Sequence, residues 1–289
     1  MNRNGSSEGA DLPLLKFQVI TDTHITSDRE HAYNRRLENA LRDIAEQAPD
    51  SQGIMHAGDV TDHGFPGEYE EFRRIWGERN PSLPPLLMTM GNHDVGLGVW
   101  AMRLSNFLNA TEMTGVYHDH WIGGHHFIFL GTEVGHELYC SLSEDQLRWL
   151  DEKLGEGDLP DRPVFVFLHQ PPLNTVSGSL EEQKWSGVMQ DAEFKAVLAK
   201  HRNRAILFTG HTHWELEAPR QYYDGEGVLP PMFNAASVAY LWTDEDKRRE
   251  GSQGYFVEVY EDRVDVRGRD FENGKWVEEA HVRLRYPRD

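Results

Sequence analysis

A chain of 289 residues, 38% hydrophobic and 27% charged, is long enough for one large domain with a substantial core. Its 48 acidic residues against 29 Lys and Arg leave a formal charge of −19, which argues against an extended surface that tracks nucleic-acid phosphates. The single cysteine, Cys140, excludes an internal disulfide and a cysteine-based zinc site, and no apolar stretch approaches the roughly 18 residues of a membrane span.

Residues 1–13 are polar, lack the apolar core of a secretory signal, and read as a disordered lead-in. A cytoplasmic location is the default expectation. Residues 14–289 read as a single domain. LLKFQVITDTH is a strand that ends in Asp22 and His24. Leu37, Leu41 and Ile44 at helical spacing predict a helix over 34–47. GIMHAGDVTD reads as a strand running into Asp59 and Asp62, and a helix is predicted over 67–78 with Tyr69, Phe72 and Trp76 on one stripe. PPLLMTMGNHD is a third strand, ending in Asn92, His93 and Asp94.

Residues 95–121 look less regular; Trp100, Phe107 and Trp121 are candidates there for a substrate cap or for core packing. HHFIFLGTE is a strand, and Ser143 followed by Gln146 marks a helix start before Leu147, Leu150 and Leu154. PVFVFLHQPP is a strand leading to His169, residues 191–201 look helical, and RAILFTGHTH is a strand leading to His211 and His213. The tail alternates and turns as a β-meander, with Asn273-Gly274 as a hairpin signal.

Five polar motifs thus follow five buried-type strands. Residues i and i+2 of an extended segment point to one side, so Asp22 with His24, and His211 with His213, converge on one ion if strand geometry persists past the strand end. Gly58, Gly91 and Gly210 each precede a candidate ligand and leave room for close approach. Carboxylate, imidazole and amide donors together suit two adjacent ions of Mn, Fe or Zn better than Ca or Mg. Such a set points to a hydrolytic metalloenzyme acting on a phosphoester. Among the other histidines, His56 is expected in the sheet core and His63 at the mouth. His118, His120, His125 and His126 cluster at a strand entrance, and His31, His136, His201 and His281 are expected at the surface.

The ordered motifs Asp22-Thr-His24, Gly58-Asp59-Val-Thr-Asp62, Gly91-Asn92-His93-Asp94, His169 and Gly210-His211-Thr-His213 resemble those of the calcineurin-like metallophosphoesterase superfamily, over roughly residues 16–214. The resemblance implies an α/β fold: a β-sandwich flanked by helices in four layers, with the C-terminal β-meander added. It implies one metal held by Asp22, His24, Asp59 and His213, and a second held by Asp59, Asn92, His169 and His211, with Asp59 bridging. It also implies two divalent or mixed-valence transition metal ions and a metal-bridging hydroxide that attacks phosphorus. His93 matches the family's catalytic histidine, which is not a metal ligand. Asp62 and Asp94 are expected to orient ligands or turns.

Phosphoprotein phosphatases of the superfamily carry an arginine where GDVTDHG has His63. Together with the HQPP and GHTHW segments, this places the chain nearest the bacterial cyclic-nucleotide and glycerophosphodiester phosphodiesterases. The expected substrate is a small phosphodiester, with no extended nucleic-acid surface and no membrane partner. A phosphomonoesterase or nucleotide pyrophosphohydrolase is the enzymatic alternative. A non-catalytic scaffold is a distant one, because all seven candidate ligands and His93 are retained.

Overall fold

The period-two alternation of the apolar runs divides each central strand between two cores. The computed structural model describes residues 12–79, 83–157, 162–183, 185 and 187–288; of the expected lead-in, residues 1–11 lie outside them. The first half of the chain forms β1 (Leu15–Ile20), α1 (Ala32–Gln47), β2 (Gly53–His56), α2 (Pro66–Arg79), β3 (Leu86–Met88), the single turn α3 (Asn92–Val95) and α4 (Trp100–Thr111). Next come β4 (His118–Ile122), β5 (His125–Phe129), α5 (Glu144–Gly155), β6 (Val164–Phe167), α6 (Asp191–Lys200) and β7 (Ala205–Thr209). The remainder is all strand: β8 (Tyr222–Tyr223), β9 (Met232–Asn234), β10 (Leu241–Trp242), β11 (Arg248–Arg249), β12 (Gln253–Val259), β13 (Arg263–Asp270) and β14 (Lys275–Arg285).

Two six-stranded sheets result, in the orders β14-β13-β12-β1-β2-β3 and β4-β5-β6-β7-β9-β8, with a separate ribbon β10-β11. Phe17 and Val19 of β1, Phe127 and Phe129 of β5, Phe165 and Phe167 of β6, and Ile206 and Phe208 of β7 all enter the core between the sheets. The alternate residues Ile128, Val164, Val166, Ala205 and Leu207 face outward, under α5 and α6. Ile20 and Ile54 face the opposite outer layer, where α1, α2 and α4 supply Leu37, Leu41, Tyr69, Phe72 and Phe107. The order is helix, sheet, sheet, helix, and removing a buried phenylalanine from the middle costs about 3–5 kcal/mol.

The helices expected over 34–47, 67–78 and 191–201 form with ends shifted by one or two residues. Ser143 caps α5 by accepting from Gln146 N at 3.1 Å, but the Gln146 side chain turns inward to Gly131 instead of completing a capping box. The irregular stretch after residue 95 contains a full helix, α4, whose stripe Trp100, Leu104, Phe107 and Leu108 packs against the α1 and α2 layer. Phe107 is therefore core. Trp121 is 52% exposed and stacks on His126 instead of covering a site. The meander forms only as β12-β13-β14; β9, in the MFN segment expected to begin it, joins the other sheet parallel to β7. The Asn273-Gly274 signal sits in a four-residue loop between Asp270 and Lys275, where Gly274 takes φ 62°. No described helix is long and apolar enough to cross a membrane.

β1, β2 and β3 are parallel neighbours in one sheet, and β5, β6, β7 and β9 are parallel neighbours in the other. Parallel strands bring successive C-terminal ends to one edge, the place where loops of α/β proteins build their sites. The five motifs all leave from these ends.

Candidate metal centre

The loops after β1, β2, β3, β6 and β7 close over one another. His213 Nε2 lies 2.9 Å from Asp22 Oδ1, and His24 Nε2 lies 3.7 Å from the same oxygen. Asp59 Oδ2 lies 3.1 Å from His169 Nε2 and 3.8 Å from His24 Nε2. His211 Nδ1 lies 3.0 Å from Asn92 Oδ1. All seven residues are buried.

Convergence does not come from extended i, i+2 geometry, as expected from the sequence. Asp22, His24, Asp59, His211 and His213 all have positive φ, between 44° and 72°. Three of the five motifs turn through the left-handed region at the candidate ligand itself, an arrangement that costs about 1–3 kcal/mol per non-glycine residue and persists where its surroundings hold it. The glycines supply space for this. Gly58 has φ 100°, and a Cβ there would stand 2.7 Å from His169 Nδ1. A Cβ on Gly91 would overlap the Asp59 carboxylate.

The outward-facing atoms of these side chains are already tied. His169 Nδ1 donates to Ala57 O at 2.9 Å and His213 Nδ1 to Tyr240 O at 3.2 Å, while His24 Nδ1 faces Asp62 Oδ1 at 3.2 Å. Each arrangement leaves Nε2 aimed inward, where it becomes a lone-pair donor once a metal ion displaces its proton. Asn92 Nδ2 donates to Glu137 O at 2.7 Å, which turns Oδ1 toward the centre. Thr21 Oγ1 and His211 N donate to Asp22 Oδ2, leaving Oδ1 buried without a hydrogen-bond partner; His169 Nε2 is likewise unpartnered. Buried orphan acceptors are costly unless something cationic meets them, so this donor set fits transition metal ions.

The electrostatics agree. Burial favours neutral Asp22, yet His213 and His169 hold it well below the usual carboxylate range. Asp59 is held low in the same way, burial being outweighed by His169, His93 and His24. Burial opposes charge on His24 and His169, but the carboxylates prevail and raise them to about 10 and about 9. His211 falls to about 3 through burial and then the neighbouring His169. The carboxylates therefore draw cations into a buried cluster, and a divalent ion competes with protons for the same lone pairs.

His93 borders the cluster, its ring 4.6 Å from that of His24. Its backbone N donates to Asp59 Oδ1 at 2.8 Å and its Nδ1 donates to Asp62 O at 2.7 Å. Asp62 thus touches His24 through its carboxylate and His93 through its carbonyl. His63 sits at the rim, 51% exposed, between Asp62 at 3.1 Å and Glu68 at 3.4 Å. Asp94 faces away from the centre and accepts from Val60 N, Thr61 N, Thr61 Oγ1, Gly91 N and Tyr69 Oη, clamping the Asp59 loop to the Asn92 loop. Burial and the Asp59 carboxylate push Asp94 up to about 6 against the pull of these donors. Asp94→Ala strands several buried donors and is expected to cost about 3–5 kcal/mol in denaturant unfolding. A loss below about 1 kcal/mol would contradict the clamp.

His56 is buried in β2, its Nε2 3.1 Å from Thr23 Oγ1, and burial lowers it to about 3. His118, His125 and His126 are buried in the outer strands, with His126 paired to Asp119 at 2.7 Å. Of the histidines expected at the surface, His281 is exposed, His31 caps α1, and His201 pairs with Asp151 at 2.7 Å. Cys140 is buried, and burial followed by the Glu133 charge pushes its thiol up, so it stays protonated.

The sequence reading missed a sixth loop, after β9. Asn234 donates to Gly210 O and Thr212 Oγ1, Ser237 Oγ donates to Asp22 O, and the Tyr240 ring stands 4.4 Å from that of His213. The signal was available: MFNAASVAY is another apolar run ending in polar residues.

A calcineurin-like phosphoesterase family model matches residues 15–215, which include every ligand candidate and His93. The chain belongs to the calcineurin-like phosphoesterase family. As a member it is a metal-dependent phosphoester hydrolase. It is 28% identical to a probable cyclic nucleotide phosphodiesterase of Synechococcus sp. over 210 residues, 70% of this chain and 75% of that protein. It is 28% identical to a probable glycerophosphodiester phosphodiesterase of Arcobacter nitrofigilis over 202 residues, 67% of this chain and 70% of that protein. Among solved structures, a purple acid phosphatase from yellow lupin superposes with a TM-score of 0.65 at 13% identity, over 91% of this chain and 52% of that longer one, a likeness of fold alone.

Proposed function

We propose that this calcineurin-like phosphoesterase hydrolyses a small phosphodiester, of the cyclic-nucleotide or glycerophosphodiester type, at a site for two metal ions. One observation carries the two-metal reading. Asp22 Oδ1 and His169 Nε2 are buried orphans in a cluster whose outward nitrogens are already tied. Asp22, His24, Asp59 and His213 would hold one ion, and Asp59, Asn92, His169 and His211 the other. Asp59 suits a shared position because Oδ1 is taken by His93 N while Oδ2 faces both His24 and His169. When bound, Mn, Fe or Zn ions supply Lewis acidity toward the phosphate oxygens and an activated water at neutral pH.

The chain's own residues do the rest. Asp62 sets the orientation of His24 and His93. With Nδ1–H committed to the Asp62 carbonyl, His93 presents Nε2 to the substrate. Water adds to phosphorus and gives up a proton to solvent, the ester P–O bond breaks, and the leaving oxygen takes its proton from Nε2 of His93 in its doubly protonated form, which solvent then restores.

Preference for a diester rests on position 63. A monoester carries an extra ionisable oxygen that a guanidinium fork grips well; here His63 is exposed and flanked by two carboxylates. Protein reconstituted with metal should hold close to two equivalents by elemental analysis. Its kcat/KM should favour bis(p-nitrophenyl) phosphate over p-nitrophenyl phosphate. His63→Arg should move that ratio toward the monoester by about tenfold, the order of one hydrogen bond to a charged group. Strong monoester turnover with negligible diester turnover would overturn the substrate assignment.

A further inference from the structure

The ribbon β10-β11 is hydrogen-bonded to the loop that carries His211 and His213: Trp242 N donates to His213 O, and Glu215 N to Trp242 O, both at 2.9 Å. Its position relative to the metal centre is therefore set by backbone pairing. Alternation along β11 sends its two arginines to different sides. Arg249 is consumed structurally, by Glu215 and Glu217. Arg248 lies over the Tyr240 ring, its guanidinium carbon 4.7 Å from the centroid, and donates to Tyr33 Oη at 2.8 Å. Tyr33 stacks on Tyr240 at 5.5 Å, and Tyr240 in turn abuts His213. A pile of planar groups runs outward from the centre, from His213 through Tyr240 to Arg248.

The Arg248 side chain is 49% exposed. Its nearest carboxylate, Glu250, is 3.8 Å away and is already gripped by Arg36. One guanidinium face is covered by Tyr240 and the remainder opens to solvent. The ribbon's turn holds Asp244, Glu245, Asp246 and Lys247, all exposed. With Tyr240 on one face and Glu250 at its edge, the guanidinium plane gains most from a planar, uncharged partner.

We infer that Arg248, oriented by Tyr33 and Tyr240, is a specificity-determining residue that stacks on the base of a nucleoside phosphodiester and so selects it over a glycerol-based diester. This rests on the phosphodiesterase reading above. A glycerol headgroup has no π face to offer, whereas guanidinium planes stack readily on bases.

The experiment compares kcat/KM for 3′,5′-cyclic AMP and for glycerophosphoethanolamine in the wild type, Arg248→Ala and Arg248→Lys. Circular dichroism confirms that each variant is folded. The cyclic AMP to glycerophosphoethanolamine ratio should fall about 5- to 150-fold in Arg248→Ala, the range for one lost base stack, and mainly through KM. Arg248→Lys should fall alike, since it keeps the charge and loses the plane. An unchanged ratio in Arg248→Ala overturns the inference, and so does recovery of the ratio by Lys, which would mark recognition of charge. If the wild type turns over neither diester, the phosphodiesterase reading fails by itself. Adenosine 5′-monophosphate titrated into the metal-loaded protein then decides the inference: equal affinity in wild type and Arg248→Ala overturns it, and a loss in the range above upholds it.

Discussion

His93→Ala is expected to lower kcat by about 10²–10⁴-fold while metal content stays near that of the wild type. The side chain has one hydrogen bond, from Nδ1 to Asp62 O, and Asp62 is partly exposed, so water can replace the lost partner. The backbone N–H that supports Asp59 survives the substitution. Chemistry is thus separated from metal binding. The loss should grow as the leaving group becomes poorer, because an alkoxide needs protonation more than an activated aryl oxide does. Single-turnover rates on an alkyl and an aryl diester measure this. Equal losses on both would make His93 an electrostatic stabiliser and not a proton donor, and a fall in metal content would make it a ligand.

Asp59→Asn should remove both metal ions, not one. Asp59 Oδ1 is spent on His93 N, and the remaining oxygen faces His24 Nε2 on one side and His169 Nε2 on the other. An amide at this position either turns its NH₂ toward both imidazoles or gives up the bond to His93 N. Either way, one negative charge leaves the buried cluster. The fall in affinity should exceed the roughly 10–100-fold that loss of an outer hydrogen-bonding partner produces, with activity falling alongside. His24→Ala is the contrast, since among the candidate ligands His24 lies against Asp22, Asp59 and His213, and it should weaken mainly one ion. Calorimetric titration after chelation resolves the two. Retention of both ions by the Asp59 variant would end the shared-ligand assignment.

Much of this site was legible before any coordinates, because the information is local. An apolar run ending in Asp, Asn or His, with glycine before the donor in three of five cases, reads as a buried strand that ends in donors, and the five units in order contain the seven candidate ligands and His93 that the fold brings together. The same grammar named the layers: Phe165, Phe167, Ile206 and Phe208 alternate with Val164, Val166, Ala205 and Leu207, which requires each strand to be covered on both faces. Helix α4 was equally local, with Trp100, Leu104, Phe107 and Leu108 at helical spacing, and was obscured by the glycines before it.

What the sequence by itself determined, then, was which donors exist and that each stands at a strand end. Only the tertiary structure decided what each donor faces. Asp62 and Asp94 look alike in the chain, yet Asp62 faces His24 while Asp94 faces away from the centre and clamps two loops, accepting from Gly91 N and the Val60 and Thr61 amides. The left-handed turns at Asp22, His24, Asp59, His211 and His213 were likewise unreadable, since nothing about an Asp or His announces positive φ. Arg248 and Arg249 are adjacent and chemically identical, and only the pairing of β10 with β11 sends one to the mouth and the other to Glu215. The physical reason is that the fold brings partners together across separations as long as the 215 residues between Tyr33 and Arg248, and a local pattern carries no term for a contact at that range.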